Sequence, residues 1–164
     1  LSNSAYVTSG PGSGAGFIVD GKLLHGSIHP EFGHLKLPRL AGDDFSGICP
    51  YHADCLEGMA SGPAIQQRWS MSAADLPESH AAWKTEAWYL AHGILAMLAI
   101  VSPERVILGG GVSQASHLHS LTEKCLNEVA GAYFPEINSK PYVVAPKLGQ
   151  QAGIIGSIML AGHG

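Results

Sequence analysis

Residues 6–26 read YVTSGPGSGAGFIVDGKLLHG, and this stretch decides the first part of the fold because apolar runs alternate with turns. Three β-type runs are separated by two turns, with runs at 5–9, 16–19 and 22–24 and turns at 10–14 and 20–21. The Asp-Gly pair between two apolar runs is a strong local signal for a hairpin. We therefore predict an antiparallel meander of three strands at the start of the chain.

Downstream of residue 58, helix-like segments alternate with strand-like segments. We predict helices at 61–69, 83–100, 116–133 and 151–160 and strands at 105–108 and 142–145. The helix at 83–100 is apolar nearly all round, so we expect it to be deeply buried. The helix at 116–133 is amphipathic, and its apolar face carries Leu118, Leu121, Cys125 and Val129. This order of elements predicts an α/β domain with a mixed sheet.

The composition predicts one domain with a substantial core, since 46% of the 164 residues are hydrophobic and 13% are charged. The net charge of -4 gives no electrostatic attraction to nucleic acid, so no such partner is expected. The most apolar stretch, residues 87–101, contains His92 and is too short to span a bilayer, so no membrane partner is expected. Residues 1–10 lack the basic and apolar regions of a signal peptide, which favours the cytoplasm.

Residues 29–58 form an irregular segment, and a loop of that length needs something to hold it. The sequence C-P-Y-H-A-D-C spaces Cys49, His52 and Cys55 at intervals of three, so one turn can wrap them around a single ion. His34 is the candidate fourth ligand of a closed tetrahedral site, and thiolate with imidazole favours a structural zinc. The odd count of three cysteines favours a metal site in a reducing compartment over disulfides. The alternative is that both cysteines are small buried residues and the histidines lie on the surface.

Five segments, in order along the chain, carry a resemblance. They are YVTSGPGSGAGFIVDGKLLHG (6–26), HPEFGH (29–34), CPYHADCLEGMASGPAI (49–65), VILGGGV (106–112) and LGQQAGIIG (148–156). Together they resemble the fructokinases of the ROK family (repressors, open-reading-frame proteins and sugar kinases). The C-x-x-H-x-x-C spacing followed by L-E-G is the most specific part, because ROK glucokinases usually have C-x-C-G-x-x-G-C there. The resemblance implies an actin-like, ribonuclease-H-like ATPase fold, with residues 1–164 as the C-terminal domain of a two-domain sugar kinase and residues 29–58 as its zinc loop.

The resemblance also implies three sugar contacts. In the family, an E-x-x-H unit and a glutamate just after the last zinc cysteine contact the sugar, and the matching residues here are Glu31, His34 and Glu57. The histidine ligates zinc with one ring nitrogen and faces the sugar with the other. Carboxylates suit sugar binding because each accepts strong hydrogen bonds from hydroxyl groups. The alternative for Glu57 is a solvated turn residue.

A site for ATP with Mg²⁺ is implied in the same way. Its expected residues are Pro11, Gly12, Gly14, Pro103, Gly109, Gly110, Gly149, Gln150, Gln151, Ala152 and Gly153. The family usually reads G-T-G at residues 10–12, and Pro11 supplies neither the threonine hydroxyl nor an N–H. We therefore expect weakened phosphate affinity unless Ser9 or Ser13 substitutes. Close helix packing is a second role for the small residues of the last helix, which are Gly153, Gly156 and Ser157.

The family's catalytic aspartate belongs to a G-N-D segment upstream of Tyr6, and we find no equivalent of it or of the D-x-G-G-T phosphate segment. Asp20 lies in a predicted turn, and Asp43-Asp44 lies in the zinc loop. We therefore expect part of an ATP-dependent hexose kinase that converts fructose to fructose 6-phosphate when complete and is inactive as this chain alone. A homodimer is implied. The alternatives are the sugar-sensing domain of a ROK transcriptional regulator and a degenerate zinc-stabilised domain without a ligand.

Overall fold

A five-stranded mixed sheet forms the centre of the computed structural model, which describes residues 1–134 and 141–162. The strands are β1 (Ser4–Ser9), β2 (Ser13–Val19), β3 (Lys22–Leu23), β4 (Val106–Gly109) and β5 (Val143–Val144). Their order across the sheet is β3-β2-β1-β4-β5. The first three strands are antiparallel neighbours, whereas β1 pairs with β4, and β4 with β5, in parallel. The predicted meander and mixed sheet are confirmed.

Strand β1 lies in the middle of the sheet and has a period-two burial pattern. Ala5 and Val7 are buried in the core, whereas Tyr6 and Thr8 point to the opposite face. Parallel strands bring their carboxyl ends to one edge of a sheet, and ligands bind at that edge in α/β folds. Here the segments that follow β1, β4 and β5 meet at that edge, and two of them are rich in glycine.

Within the described part of the chain, five α-helices accompany the sheet. They are α1 (Leu56–Met59), α2 (Gly62–Trp69), α3 (Ala82–Val101), α4 (His117–Ala130) and α5 (Ala152–Ala161). Helix α3 is deeply buried, as predicted, and Leu90 and Ile94 are fully enclosed. It ends at Ser102, which has a φ of 42° and donates hydrogen bonds from its N–H and its hydroxyl to the carbonyl oxygen of Leu98. Helix α2 begins after Ser61, whose hydroxyl accepts a hydrogen bond from the N–H of Ala64.

Two regions of the chain differ from the prediction. Strand β2 begins at Ser13 instead of residue 16, so the link between β1 and β2 shrinks to residues 10–12, which we call the glycine turn. The segment 29–58, predicted to be irregular, contains a 3-10 turn at Phe32–His34 and the helix α1. The 3-10 turn and α1 are too short to produce a recognisable hydrophobic period.

The buried face of α4 is offset from the predicted one. The buried positions follow each other at intervals of four and are Leu118, Thr122, Leu126 and Ala130. The predicted residues Leu121, Cys125 and Val129 are half-buried and pack against the core from the side. The hydrophobic pattern predicts the wrong buried face of α4 because Thr122, one of the buried positions, is polar.

Helix α5 has no buried residue, although its sequence is apolar. Ile154, Ile158 and Met159 are each more than 60% exposed. A Cβ atom at Gly153 or Gly156 would meet no described atom within 4 Å, so the close helix packing expected of these residues is not seen. Among residues 1–134 and 141–162, no helix combines the length and hydropathy that crossing a membrane requires.

Candidate functional site

His34, Cys49, His52 and Cys55 form a compact group, which we call the Cys/His cluster. The potential ligand atoms of all four side chains lie within 4.8 Å of one another. Nδ1 of His34 is 3.7 Å from Sγ of Cys49 and 3.6 Å from Sγ of Cys55, and Nδ1 of His52 is 3.9 Å from Sγ of Cys49. The structure thus brings together all four predicted metal ligands from separate parts of the loop.

The Cys/His cluster fits a tetrahedral zinc ion by two criteria. A zinc ion with bonds of about 2.3 Å to sulfur and about 2.0 Å to nitrogen holds those atoms about 3.5 Å apart, close to the observed separations. Two thiols and two imidazoles are also the donor set of closed structural zinc sites. Nδ1 is the ring nitrogen of His34 that faces both sulfurs, and no hydrogen bond to its Nε2 is found within the described residues.

The two thiols have different electrostatic surroundings. Burial raises the pKa of Cys49, but backbone hydrogen bonds from Tyr51 and His52 outweigh it, so the net pKa lies below the ordinary thiol value. Burial raises the pKa of Cys55. Cys49 therefore reaches the thiolate form, which is the form that binds metals, more readily than Cys55.

Tight packing around Ala53 shapes the loop that carries the Cys/His cluster. Cys49 and Ala53 exchange backbone hydrogen bonds of 3.1 and 2.8 Å. A Cβ atom at Gly47 or Gly58 would lie 2.2 or 1.8 Å from the carbonyl oxygen of Ala53, so no side chain fits at either position. These two glycines permit the chain to close around the Cys/His cluster.

Glu57 lies between the Cys/His cluster and the glycine turn. It is the second residue of α1, two positions after the ligand Cys55. Its Oε2 accepts a hydrogen bond of 3.0 Å from the N–H of Ser13. A Cβ atom at Gly12 would lie 2.6 Å from the same oxygen. Glu57 is therefore not a solvated turn residue, since its carboxylate packs directly on the glycine turn.

The 3-10 turn Phe32–His34 approaches the same place. Glu31 is exposed and precedes this turn, where its carbonyl oxygen accepts a hydrogen bond from the N–H of His34. A Cβ atom at Gly33 would lie 1.9 Å from the carbonyl oxygen of Ser13. The backbone that carries Glu31 and His34 thus touches the first residue of β2, as Glu57 does.

The hydroxyls of Ser9 and Ser13 are both engaged, so neither is free to replace the missing threonine. Ser9 Oγ donates to Oε1 of Glu86 over 3.1 Å, and Ser13 Oγ donates to the carbonyl oxygen of Ala60 over 2.6 Å. Pro11 is exposed at the tip of the glycine turn. The expectation of weakened phosphate affinity therefore stays a prediction, and neither serine supplies the proposed compensation.

The second glycine segment, residues 109–111, lies beside the glycine turn because β4 pairs with β1. A Cβ atom at Gly110 would lie 2.2 Å from the carbonyl oxygen of Ser9, and Gly110 has a φ of +94°. A Cβ atom at Gly10 would lie 3.4 Å from the backbone nitrogen of Gly111. Glycine at these positions allows the two turns to touch.

A cavity of about 770 Å³ opens next to residues 109–111, which is a volume suited to a small-molecule ligand. Its walls include five of the residues predicted to border a nucleotide, namely Gly109, Gly110, Gly149, Gln150 and Gly153. Gln151 and Ala152 do not line it. Pro103 precedes β4, at the opposite end of that strand, where its carbonyl oxygen accepts a hydrogen bond from the hydroxyl of Tyr142. The structure therefore does not bring Pro103 to the other predicted residues.

Several cavity residues escaped the sequence analysis. Thr8 and Tyr6 line the cavity from β1, and the alternation of exposed with buried positions in that strand was a signal that could have indicated them. Ser113 lines the cavity just after residues 109–111 and is 6% exposed. Its hydroxyl has no hydrogen-bond partner within the described residues, although buried polar atoms are usually paired. Nothing in the sequence signals this feature.

Comparison with known proteins identifies the family to which the mixed sheet, the Cys/His cluster and the adjoining glycine turns belong. A model described as the ROK family matches residues 1–163, and this chain belongs to that family. A relative from Bacillus subtilis (strain 168) is 43% identical over 165 residues, covering 98% of this chain and 55% of that protein. A fructokinase from Zymomonas mobilis is 42% identical over 161 residues, covering 96% of this chain and 54% of that protein.

Solved structures support the fold class. The structure of a ROK hexokinase from Thermus thermophilus superimposes with a TM-score of 0.77 at 22% identity, covering 99% of this chain and 59% of that chain. At that identity the likeness concerns the fold, and it confirms the predicted actin-like ATPase class. The chain spans about half the length of the curated relatives it matches.

Proposed function

We propose that this chain forms the sugar- and nucleotide-binding part of an ATP-dependent hexose kinase with fructose as its substrate. The observation that carries this proposal is the 3.0 Å hydrogen bond between Glu57 and the N–H of Ser13. It places the carboxylate expected to bind sugar hydroxyls against the turn expected to bind phosphate. Two substrates held there would meet, and proximity of this kind is a large part of phosphoryl transfer catalysis.

In the proposed reaction, a sugar hydroxyl oxygen forms a bond to the γ-phosphorus of ATP, the bond from that phosphorus to ADP breaks, and the hydroxyl proton passes to a base. Glu31, His34 and Glu57 would orient the sugar, and the cavity beside residues 109–111 would hold the nucleotide. Magnesium would accompany the ATP and neutralise phosphate charge. The product would be fructose 6-phosphate.

The Cys/His cluster would hold a structural zinc ion through its two thiolates and two imidazoles. A bound zinc ion would cross-link the loop and take no part in the reaction, because four protein ligands leave it no open coordination position. The cross-link would fix His34, and through Cys55 it would fix the start of the helix that carries Glu57.

The base that accepts the hydroxyl proton would come from outside residues 1–164. Asp20 is exposed in the turn between β2 and β3. Asp43 accepts a hydrogen bond from Tyr89 and pairs with Arg68 at 3.1 Å. Neither carboxylate adjoins the glycine turn, so this chain alone would bind substrates without turnover. We further propose that the complete protein is a cytoplasmic homodimer, which the molecular mass in solution tests.

The experiment is an ADP-release assay on the full-length protein with ATP, Mg²⁺ and fructose, with glucose and mannose as matched competitors. We expect turnover that is fastest with fructose, and none from residues 1–164 expressed alone. Full-length protein that binds neither fructose nor ATP would refute the proposal. Tight sugar binding without phosphorylation would favour the sugar-sensing regulator instead.

A further inference from the structure

The carboxylate of Glu57 contacts the end of the glycine turn through one oxygen, and its other oxygen can contact a sugar. Its Oε2 is engaged by the N–H of Ser13, and no hydrogen bond to its Oε1 is found within the described residues. A carboxylate accepts several hydrogen bonds through its two oxygens. One oxygen can therefore hold the glycine turn while the other accepts a sugar hydroxyl.

The turn is firmly tied to the segment that carries this glutamate. The carbonyl oxygen of Gly10 accepts a hydrogen bond of 2.7 Å from the N–H of Gly62, and Ser13 Oγ donates to the carbonyl oxygen of Ala60. Within the turn, the N–H of Gly10 donates to the carbonyl oxygen of Gly12 over 2.9 Å. Together with the bond from the N–H of Ser13 to Glu57, these contacts hold residues 10–13 against residues 57–62 by three hydrogen bonds.

The negative charge of Glu57 indicates whether sugar binding should raise or lower the affinity of the glycine turn for phosphate. With Pro11 lacking an N–H and the N–H groups of Gly10 and Ser13 already engaged, the turn has few donors left for a phosphate. The half-buried carboxylate adds a negative charge beside the turn, and like charges repel more strongly where water is partly excluded. Hydroxyl groups of a sugar that donate to this carboxylate would disperse its charge and weaken the repulsion.

We propose that Glu57 couples the two substrate sites, so that sugar bound to its carboxylate raises the affinity of the glycine turn for the phosphates of the nucleotide. This inference rests on the proposed function, because it requires that both ligands bind. Coupling of this kind is reciprocal, so the nucleotide must raise the affinity for sugar by the same factor. Glu57 acts here as a positioning residue for the nucleotide, in addition to any contact with sugar.

The test measures the dissociation constant of AMPPNP with Mg²⁺, an ATP analogue that is not hydrolysed, in the full-length protein with and without saturating fructose. We expect fructose to tighten AMPPNP binding about tenfold, within the usual range of coupling between sites. In Glu57→Gln, which removes the charge, the factor should fall to about one, within measurement error. Glu31→Gln is the matched control, since it weakens sugar binding without touching the turn and should keep the wild-type factor once fructose is saturating.

Gly12→Ala provides an independent variant in case Glu57→Gln does not fold. The added Cβ atom would displace the carboxylate of Glu57 from Ser13 although the glutamate itself is unchanged, and the variant should also abolish the coupling. Gly16→Ala, where a Cβ atom meets open space, should preserve it. Coupling that survives both Glu57→Gln and Gly12→Ala overturns the inference. Wild-type protein that binds both ligands independently also overturns it and leaves the proposed function standing, whereas wild-type protein that binds neither ligand overturns the function itself.

Discussion

The hydroxyl of Ser9, the residue just before the glycine turn, donates a hydrogen bond of 3.1 Å to Oε1 of Glu86, and both side chains are buried. Burial raises the pKa of Glu86 to about 7 from an ordinary value of 4.5, although the bond from Ser9 and the charge of Arg68 act against it. The base of the glycine turn therefore contains a carboxyl group that titrates near neutrality.

This pKa predicts a pH-dependent stability difference between the wild type and Glu86→Gln. Between about pH 4.5 and 7 the unfolded carboxyl is ionised while the folded one stays protonated, so raising the pH favours unfolding. The stability that the protonated carboxyl of Glu86 contributes is therefore fully present below pH 4.5, the unfolded pKa, and is lost as the pH rises through about 7, the folded pKa. Relative to the wild type, the free energy of unfolding of Glu86→Gln should rise by about 3 kcal/mol as the pH is raised through this window.

Urea unfolding at several pH values measures this difference. Glu128→Gln, which removes an exposed carboxylate from α4, is the control and should run parallel to the wild type at every pH. Acid loss of a bound metal affects all three proteins alike and cancels from the comparison. A Glu86→Gln difference that does not change with pH would contradict the prediction.

The metal content of the purified protein tests the Cys/His cluster. We expect about one zinc ion per chain in the wild type, and loss of that zinc in the double variant Cys49→Ser, Cys55→Ser. Because structural zinc contributes folding free energy, the midpoint of thermal unfolding should fall by about 10 °C or more. Cys125→Ser is the matched control, since Cys125 lies on α4 outside the cluster and should leave the zinc content unchanged.

Gly110→Ala should be strongly destabilising. Its Cβ atom would lie 2.2 Å from the carbonyl oxygen of Ser9, and the φ of +94° disfavours any L side chain. The expected cost is about 2 kcal/mol or more in the free energy of unfolding. The neighbouring Gly111→Ala places its Cβ in open space and should change stability by less than about 0.5 kcal/mol. Equal effects from the two variants would show that the contact between the turns carries no strain.

Pro11→Thr should tighten nucleotide binding, because it restores an N–H and a hydroxyl at the tip of the glycine turn. We expect the dissociation constant of AMPPNP to fall about tenfold, which corresponds to about 1.4 kcal/mol. Pro11→Ala separates the two contributions, since it restores the N–H alone. If neither variant binds the nucleotide more tightly than the wild type, the departure at Pro11 does not limit phosphate affinity.

Ser113→Ala should separate ligand binding from stability. Its buried hydroxyl is unpaired within the described residues, so its removal should leave the free energy of unfolding unchanged or raise it. If that hydroxyl contacts the nucleotide, the affinity for AMPPNP should fall about tenfold. Thr122→Val is the control, because Thr122 is also buried without a hydrogen-bond partner among the residues that the structure describes, but it does not line the cavity. A Ser113→Ala variant with wild-type affinity would remove this residue from the site.

The periodic elements were predictable because their burial follows their hydrophobic pattern. The meander, the long helix α3 and the strand before residues 109–111 all fall in this group. The Cys/His cluster was predictable for a different reason, since three of its ligands recur at a regular spacing. The position of Glu57 against Ser13 was not predictable, because it depends on a four-residue helix that leaves no period in the sequence.

The other misses have equally specific causes. No hydrophobic pattern indicates that Glu86 and Thr122 are buried, because a polar residue within an apolar helix pattern is normally assigned to an exposed position. The cavity wall formed by Thr8 and Ser113 depends on which strands lie next to each other, and this order is a property of the whole sheet. Long-range strand order and isolated buried polar groups were therefore the limits of what the sequence alone could supply.

The segment 55–62 makes a contact at almost every second position. Cys55 belongs to the Cys/His cluster, Glu57 and Ala60 bind Ser13, and Gly62 binds the carbonyl oxygen of Gly10. Insertion or deletion of one residue anywhere within it would break all the contacts on one side of the change. In protein engineering, this segment and residues 10–13 would therefore have to be transplanted together, because each supplies hydrogen-bond partners to the other.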